Sequence, residues 1–530
     1  MLIRDVVTKT VLIVENDVDL SLLIAMELRE DGYESCQATT VAEAIHILDE
    51  RPIHCIILDL SLVDNPYVLD AIEVLKFLRR RPDHIPVVIY TGYATAESIS
   101  RIYDEFPGIV AGLVNKWTPE YQSQLRTAVN RAIESGTGIN WNLELRLRDG
   151  LEIDQMISGL RAASGDSDEL VELVGRAFGK PLRVDFLPLT PGFSGTGVVR
   201  GVPYIKAGTD RLLLGETIVF KYGNRSKIQQ EVSNFRNYVN PFAKAHRRTS
   251  LVEEPAYTRA FGALQYALIG AGVEKITSFS EFYIQTYEIE QIQRILDNLF
   301  NDTCANWYSE RERELAPPHK MYDADGLESR LRQWAERADP ALLNSPTVAF
   351  PEVDQVFRNP LMLISEFGKS SRQVFRSIIH GDLNGSNILV DSLKAETWLI
   401  DFYQTGLGHL MKDFAKLETV MKFELLGNAN IPTLYTAELH MLEPNRLEQP
   451  ITFPAGQLPT DVEKMIKAVT ILRGFAAQFT RPLSDAVQYY LALFYKTAEA
   501  LTFEPFDNAK RRHVLLSLCL LGEYLHKARA

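Results

Sequence analysis

Three residues late in the chain have the types and spacing of phosphoryl chemistry. Asp382 and Asn387 stand five positions apart in IIHGDLNGSNILV, and Asp401 follows Asp382 by nineteen positions in WLIDF. Apolar stretches flank these residues, which predicts a hairpin presenting two carboxylates and an amide at one end. Asn387 and Asp401 carry the oxygen donors to hold Mg2+ against phosphates. Asp382 can orient or deprotonate an attacking hydroxyl.

A second set stands in the first 135 residues. Glu15, Asn16 and Asp17 follow the run TVLIV, Asp59 follows HCIIL, Thr91 follows PVVIY, and Lys116 follows GIVAGLVN. Carboxylates meeting at one sheet edge repel each other, and a hard cation such as Mg2+ relieves that repulsion. An Asp beside the cation can attack a phosphoryl group, with a hydroxyl and a lysine binding the phosphoryl oxygens. A single Asp at a strand end is as readily a helix cap or a solvated turn. The signal is the four strand ends together.

The elements that must position this set are apolar strands at 10–14, 54–58, 86–90 and 109–114. Amphipathic helices are expected at 20–31, 41–51, 68–80, 97–106 and 119–135. Strands apolar throughout, separated by helices, imply a parallel sheet covered on both faces, a doubly wound α/β domain. Its ligands gather at the carboxyl ends of the strands.

From residue 181 the pattern changes to strands joined by glycine turns. The loop PGFSGTG contains Gly192, Gly195 and Gly197, and such a loop lets backbone N–H groups approach phosphates. Gly and Ser also make ordinary hairpin turns. Lys221 ends the apolar run TIVF, and Glu231 lies on the helix expected next, so the two could pair around phosphate oxygens. A surface lysine and a surface glutamate are the plain alternative.

With these motifs in place, two resemblances emerge. Residues 11–135 resemble the receiver domain of two-component response regulators. That resemblance implies a flavodoxin-like fold, Asp59 as phosphoacceptor, Thr91 and Lys116 as switch residues, and Mg2+ near Glu15, Asn16, Asp17 and Asp59. It also implies an upstream sensor histidine kinase. Asn16 stands where the family usually has a second acid. Leu113 stands in place of a switch aromatic, and Trp117 in place of a proline.

Residues 181–425 resemble the protein-kinase-like superfamily, most closely its aminoglycoside- and choline-kinase-like branch, which writes HGD-x-x-x-x-N and IDF as they stand here. This implies an α+β two-lobed domain over 181–530, with an N-lobe to about 270 and a C-lobe beyond. It implies ATP and Mg2+ as cofactors. Asp382 would be the base, and Asn387 and Asp401 the metal ligands. Lys221 with Glu231 would sit at the α/β-phosphates, under the Gly192–Gly195–Gly197 loop. Asp413, in GHLMKDFAKLE, would brace the catalytic loop. The short interval from Lys221 to Glu231, and Asn384 in place of the lysine that protein kinases direct at the phosphoryl group, depart from the pattern.

The expected organisation is a receiver over 1–136, a helical connector over 137–180 that could form a homodimer seam, and the kinase-like unit over 181–530. The functional expectation is an ATP-dependent phosphotransferase regulated by its receiver, with an unread phosphoryl acceptor. The alternative is a pseudokinase adaptor whose receiver controls assembly. At 530 residues with net charge −13, no basic face announces nucleic-acid binding. The four cysteines are too few and too scattered for a disulfide framework or a zinc site. No run suggests a signal peptide or a membrane span, so the expected location is the cytoplasm.

Overall fold

A computed structural model describes residues 2–3, 9–63, 69–92, 95–135, 139–152, 156–157, 167–179, 181–189, 196–207, 211–242, 249–252, 254–268, 276–454, 456–481 and 486–528. The chain divides into two compact units, residues 1–232 with 250–267, and residues 233–249 with 268–530.

The first unit holds two sheets. One has five parallel strands in the order Glu34–Ala38, Thr10–Val14, Cys55–Leu58, Val87–Thr91, Val110–Asn115. Numbered along the chain this is 2-1-3-4-5, so the strand order reverses between Thr10–Val14 and Cys55–Leu58. Both faces are buried: Leu12, Ile56 and Ile89 enter one core, Val11, Ile57 and Val88 the other. The strand Glu34–Ala38 (ESCQA) was not foreseen. As an edge strand it buries little and lacks the apolar run that marks its neighbours.

The helix Val18–Glu30 starts where the Asp17 carboxylate accepts the N–H groups of Asp19 and Leu20. The helix Val41–Glu50 is capped by Thr40, which accepts the Glu43 N–H. Such caps satisfy donors that the helix itself leaves open.

The second sheet places the strands Leu2–Ile3, Glu144–Leu147, Arg183–Pro188, Thr196–Ala207, Ile218–Asn224 and Phe261–Leu268 side by side in that order. The segment 137–180, expected as a helical connector, therefore contributes a strand. Glu144–Leu147 runs parallel to Arg183–Pro188 and pairs on its other side with Leu2–Ile3. The alternation in WNLELRLRD is the period of a half-buried strand, with Leu145 and Leu147 in the core. The helix Ser167–Ala177 is present and buries Leu170, Leu173 and Val174 in that same core, against Phe186 and Phe220.

The second unit is mostly helical. Its long helices are Ala324–Ala338, Ile431–Leu442, Thr460–Thr480, Ala486–Leu501 and Asn508–Lys527. Two small antiparallel sheets frame the HGD segment. The strand Arg372–Ile379 pairs with Glu312–Ala316 and Gly406–His409, while Ile388–Asp391 pairs with Glu396–Leu399 and Ile276–Ser278. The expected hairpin is formed by Ile388–Asp391 and Glu396–Leu399, which carry Asn387 and Asp401 at one end, while the preceding strand Arg372–Ile379 belongs to the other sheet. The turn 380–387 passes from one to the other.

Trp307 and Tyr308, at the head of the charged stretch 307–320, are buried. The helices Phe279–Gln285 and Ile289–Asn298 follow one another across a short break. No helix among the described residues is long and apolar enough to cross a membrane. All four cysteines are free thiols, and burial pushes the Cys55 thiol up to about 12.

Candidate functional site

At the strand-order reversal of the first sheet, Lys116 Nζ lies 2.5 Å from Glu15 Oε2 and 2.6 Å from Asp59 Oδ2. Glu15 and Asp59 are nearly buried. Burial pushes the Glu15 carboxyl above its ordinary range, and the Lys116 ammonium opposes that shift. The remaining oxygens are occupied from the backbone: Glu15 Oε1 accepts the Asp17 N–H and Asp59 Oδ1 the Ser61 N–H.

Thr91 ends the adjoining strand, buried, and its carbonyl accepts the Lys116 N–H at 3.2 Å. Trp117 lies mostly exposed, and its indole N–H donates to the Gly92 carbonyl at 2.9 Å. A side chain at position 92 would overlap that ring, so glycine there makes room for tryptophan.

Asn16 and Asp17 are exposed, and Asp17 is committed to its helix cap. The donor set at this edge is thus two carboxylates and a neighbouring amide. Their chemistry fits a hard cation, although no group of three His, Cys, Asp or Glu able to hold a metal occurs among the described residues.

In the second sheet of the same unit, Lys221 Nζ lies 2.6 Å from Glu231 Oε2, both side chains fully buried. The sequence had left Glu231 in doubt. The strand Ile218–Asn224 runs straight into the helix Arg225–Asn234, which returns the glutamate over the strand. Tyr266, unmarked in the sequence reading, donates its hydroxyl to Glu231 Oε1 at 2.5 Å. Gly192 and Gly195 lie outside the described residues. Gly197 pairs with Tyr222, and any Cβ there would overlap the tyrosine ring, so that ring is what demands glycine.

In the second unit the HGD turn is built around Asp413, which is fully buried on the helix Met411–Thr419. Its carboxylate accepts the His380 N–H at 2.7 Å, the Gly381 N–H at 2.9 Å and the Tyr308 hydroxyl at 2.8 Å. His380 Nε2 meets the Ile400 carbonyl at 3.0 Å, tying the turn to the strand that delivers Asp401. Gly381 has φ +84°, and a side chain there would strike the Gln404 carbonyl.

Asn387 donates its amide to the Asp382 carbonyl at 3.0 Å, and the Ile400 N–H donates to the Asn387 carbonyl at 3.1 Å. Asp382, Asn387 and the residue preceding Asp401 are therefore bound to one another. Asp401 itself has φ +68°, a left-handed conformation that costs a non-glycine residue about 1–3 kcal/mol and persists only where its surroundings impose it.

Sequence reading missed two neighbours here. Tyr308 was hidden in the charged stretch. Lys416, whose Nζ lies 3.6 Å from Asp382 Oδ1, stands one helical turn after Asp413, and that spacing places both on one helix face.

Comparison with known proteins agrees with the first sheet. Residues 11–109 match the response regulator receiver domain. A stretch of 88 residues is 32% identical to an NtrX-like response regulator of Rickettsia felis, covering 17% of this chain and 18% of that protein. The corresponding protein of Rickettsia conorii is 31% identical over 88 residues. The chain thus spans about a fifth of the length of these curated relatives, each matched over 18%.

Two solved structures are also similar. A CheY-like receiver domain protein of Methanospirillum hungatei is 21% identical, over 24% of this chain and 96% of that one, with a TM-score of 0.22. NtrX from Brucella abortus, solved with ATP, is 22% identical over 24% of this chain and 27% of that one, with a TM-score of 0.21.

The protein therefore carries an N-terminal response regulator receiver domain with five parallel strands. Residues 183–341 and 327–501 match Ternary complex associated domain 9, together more than half of the sequence, and the chain belongs to that family.

Proposed function

We propose that this receiver-bearing protein is a signalling phosphotransferase: its receiver takes a phosphoryl group on Asp59, and its second part moves one from ATP to an acceptor. The observation that carries the second half is the turn 380–387. A buried carboxylate, Asp413, fastens the His380 and Gly381 amides and leaves Asp382 partly exposed with Asn387 bound beside it. Burying an acid to hold two backbone amides is costly unless the loop position matters.

In this reading Asp382 accepts the proton of an attacking hydroxyl. Lys221, charged and held by Glu231, meets the α/β-phosphates, as the kinase-like resemblance implies. Asn387 and Asp401 would hold Mg2+, and Glu15 and Asp59 would hold it at the receiver, where bound Mg2+ neutralises charge developing on phosphoryl oxygens. Lys116 is already placed to meet a phosphoryl oxygen on Asp59. A sensor histidine kinase is the phosphodonor partner that a receiver implies. The hydroxyl acceptor is a second partner.

The test is ATP turnover by the full chain with Mg2+, with and without acetyl phosphate as receiver donor. Asp382→Ala should abolish turnover while circular dichroism stays unchanged. Turnover that survives in this variant excludes Asp382 as base. Nucleotide binding with no turnover under any condition favours a binding role for the second part.

A further inference from the structure

We infer that Lys416, on the helix Met411–Thr419, supplies the cation that contacts the transferred phosphoryl group beside Asp382; the inference rests on the phosphotransferase reading. In protein kinases a lysine two positions after the catalytic Asp has that task. Here that position is Asn384, and its side chain is consumed inside the turn. Asn384 Oδ1 accepts the Ser386 N–H at 2.9 Å, the Ser386 hydroxyl at 2.6 Å and the Asn387 N–H at 3.0 Å. Its amide donates to Asp382 Oδ2 at 3.2 Å. Asn384 shapes the loop and carries no charge for a phosphate.

Lys416 fills the gap from another element. Its Nζ is 3.6 Å from Asp382 Oδ1, beyond a closed ion pair, and each side chain is 25% exposed. The ammonium therefore stands beside the carboxylate and still reaches solvent. It is held on a rigid support. Asp413, one turn earlier, grips the turn. Glu418, two residues later, is bound by Arg473 at 2.7 Å and Tyr489 at 2.6 Å. A phosphate-facing group positioned by a helix rather than a loop keeps its geometry under load.

The charges around it favour the ammonium. Burial alone would lower Lys416, but the carboxylates of Asp382, Glu424 and Glu499 raise it above the ordinary lysine value. Lys412 on the same helix is lowered, by burial and by Lys496. Of the two, Lys416 is the one whose surroundings favour the charged form.

The step balances as follows. The acceptor hydroxyl oxygen bonds to the γ-phosphorus while the bond from that phosphorus to the β–γ bridging oxygen breaks. The hydroxyl proton passes to Asp382, the bond's electron pair stays on ADP, and Lys416 stabilises the non-bridging oxygens during transfer.

Two arms test this on the full chain. Lys416→Met should lower kcat about 10²- to 10³-fold with KM for ATP changed less than about twofold, and Lys416→Arg should restore part of the rate. A neutral methionine that turns over like the parent overturns the assignment. The second arm needs no turnover. Calorimetry establishes Mg·ATP and Mg·ADP binding, and an amine-reactive reagent then labels the saturated protein. Lys416 should label several-fold more slowly with ATP than with ADP, read by mass spectrometry. Equal labelling with both nucleotides bound overturns Lys416 and leaves the phosphotransferase reading standing. Absence of nucleotide binding removes that reading, and Lys416 with it.

Discussion

His54 Nε2 lies 3.1 Å from Glu172 Oε2, joining the receiver sheet to the helix Ser167–Ala177 through two side chains that are almost fully buried. His54 Nδ1 accepts the Thr10 N–H at 2.9 Å, which leaves the proton on Nε2, pointing at the glutamate. Arg176 closes the group at 2.7 Å from the other Glu172 oxygen. Nearby, Glu169 accepts the Ala260 N–H and pairs with Arg259, which reaches the Asp49 carbonyl.

This group makes stability depend on acid. Burial would raise the Glu172 carboxyl, but Arg176 and His54 overcome it and depress the folded value to about 2, against 4.5 for the ordinary group. A depressed carboxylate stabilises the fold above its unfolded pKa and loses that contribution as pH falls. Between about pH 4.5 and pH 2 the fold should lose about 3 kcal/mol from this site. Glu172→Gln should flatten that part of the denaturation-versus-pH curve. An unchanged slope would show that Glu172 is not the titrating group.

The Lys221–Glu231 pair predicts an asymmetry. Glu231→Ala leaves a buried ammonium without its carboxylate and should cost about 3–5 kcal/mol in urea denaturation. Tyr266→Phe removes only one hydroxyl donor from Glu231 and should cost about 1 kcal/mol.

Asp413 should behave as the hub of the HGD turn. Asp413→Asn keeps one acceptor oxygen for three donors, and should destabilise the second unit by about 2–4 kcal/mol. Tyr308→Phe removes a single donor. A double-mutant cycle between the two should show coupling above about 0.5 kcal/mol. Strict additivity would place Tyr308 outside the hub.

At the receiver edge, Asn16→Asp adds a third acid beside Glu15 and Asp59. Mg2+ affinity, measured by calorimetry, should rise about tenfold, a gain of about 1.4 kcal/mol. Lys116→Ala should leave two buried carboxylates without their counter-ion and sharply reduce Asp59 labelling by acetyl phosphate.

Sequence legibility followed how much of each signal was local. Four receiver strands were readable because each carries an apolar run, Val110–Asn115 at the far edge included, whereas ESCQA at the opposite edge was not, since its sequence has no such run. Glu15, Asp59 and Lys116 could be grouped because strand ends in a parallel sheet share one edge. Asp413 was placed through its resemblance to a family pattern, but Tyr308 and Tyr266 were not, because their partners lie 105 and 35 residues away. WNLELRLRD alternated visibly, yet its partners, Leu2–Ile3 and Arg183–Pro188, had to be known before it could be a strand.

The pairing of Leu2–Ile3 with Glu144–Leu147 means that the chain enters and leaves the receiver from adjacent strands of one sheet. Topologically the receiver is a cassette spliced into another sheet, anchored at both ends instead of hanging from a single hinge. Cutting the polypeptide at 136 would strip the neighbouring sheet of a strand and expose that edge, so proteolysis at this boundary should release aggregating fragments rather than two well-behaved halves.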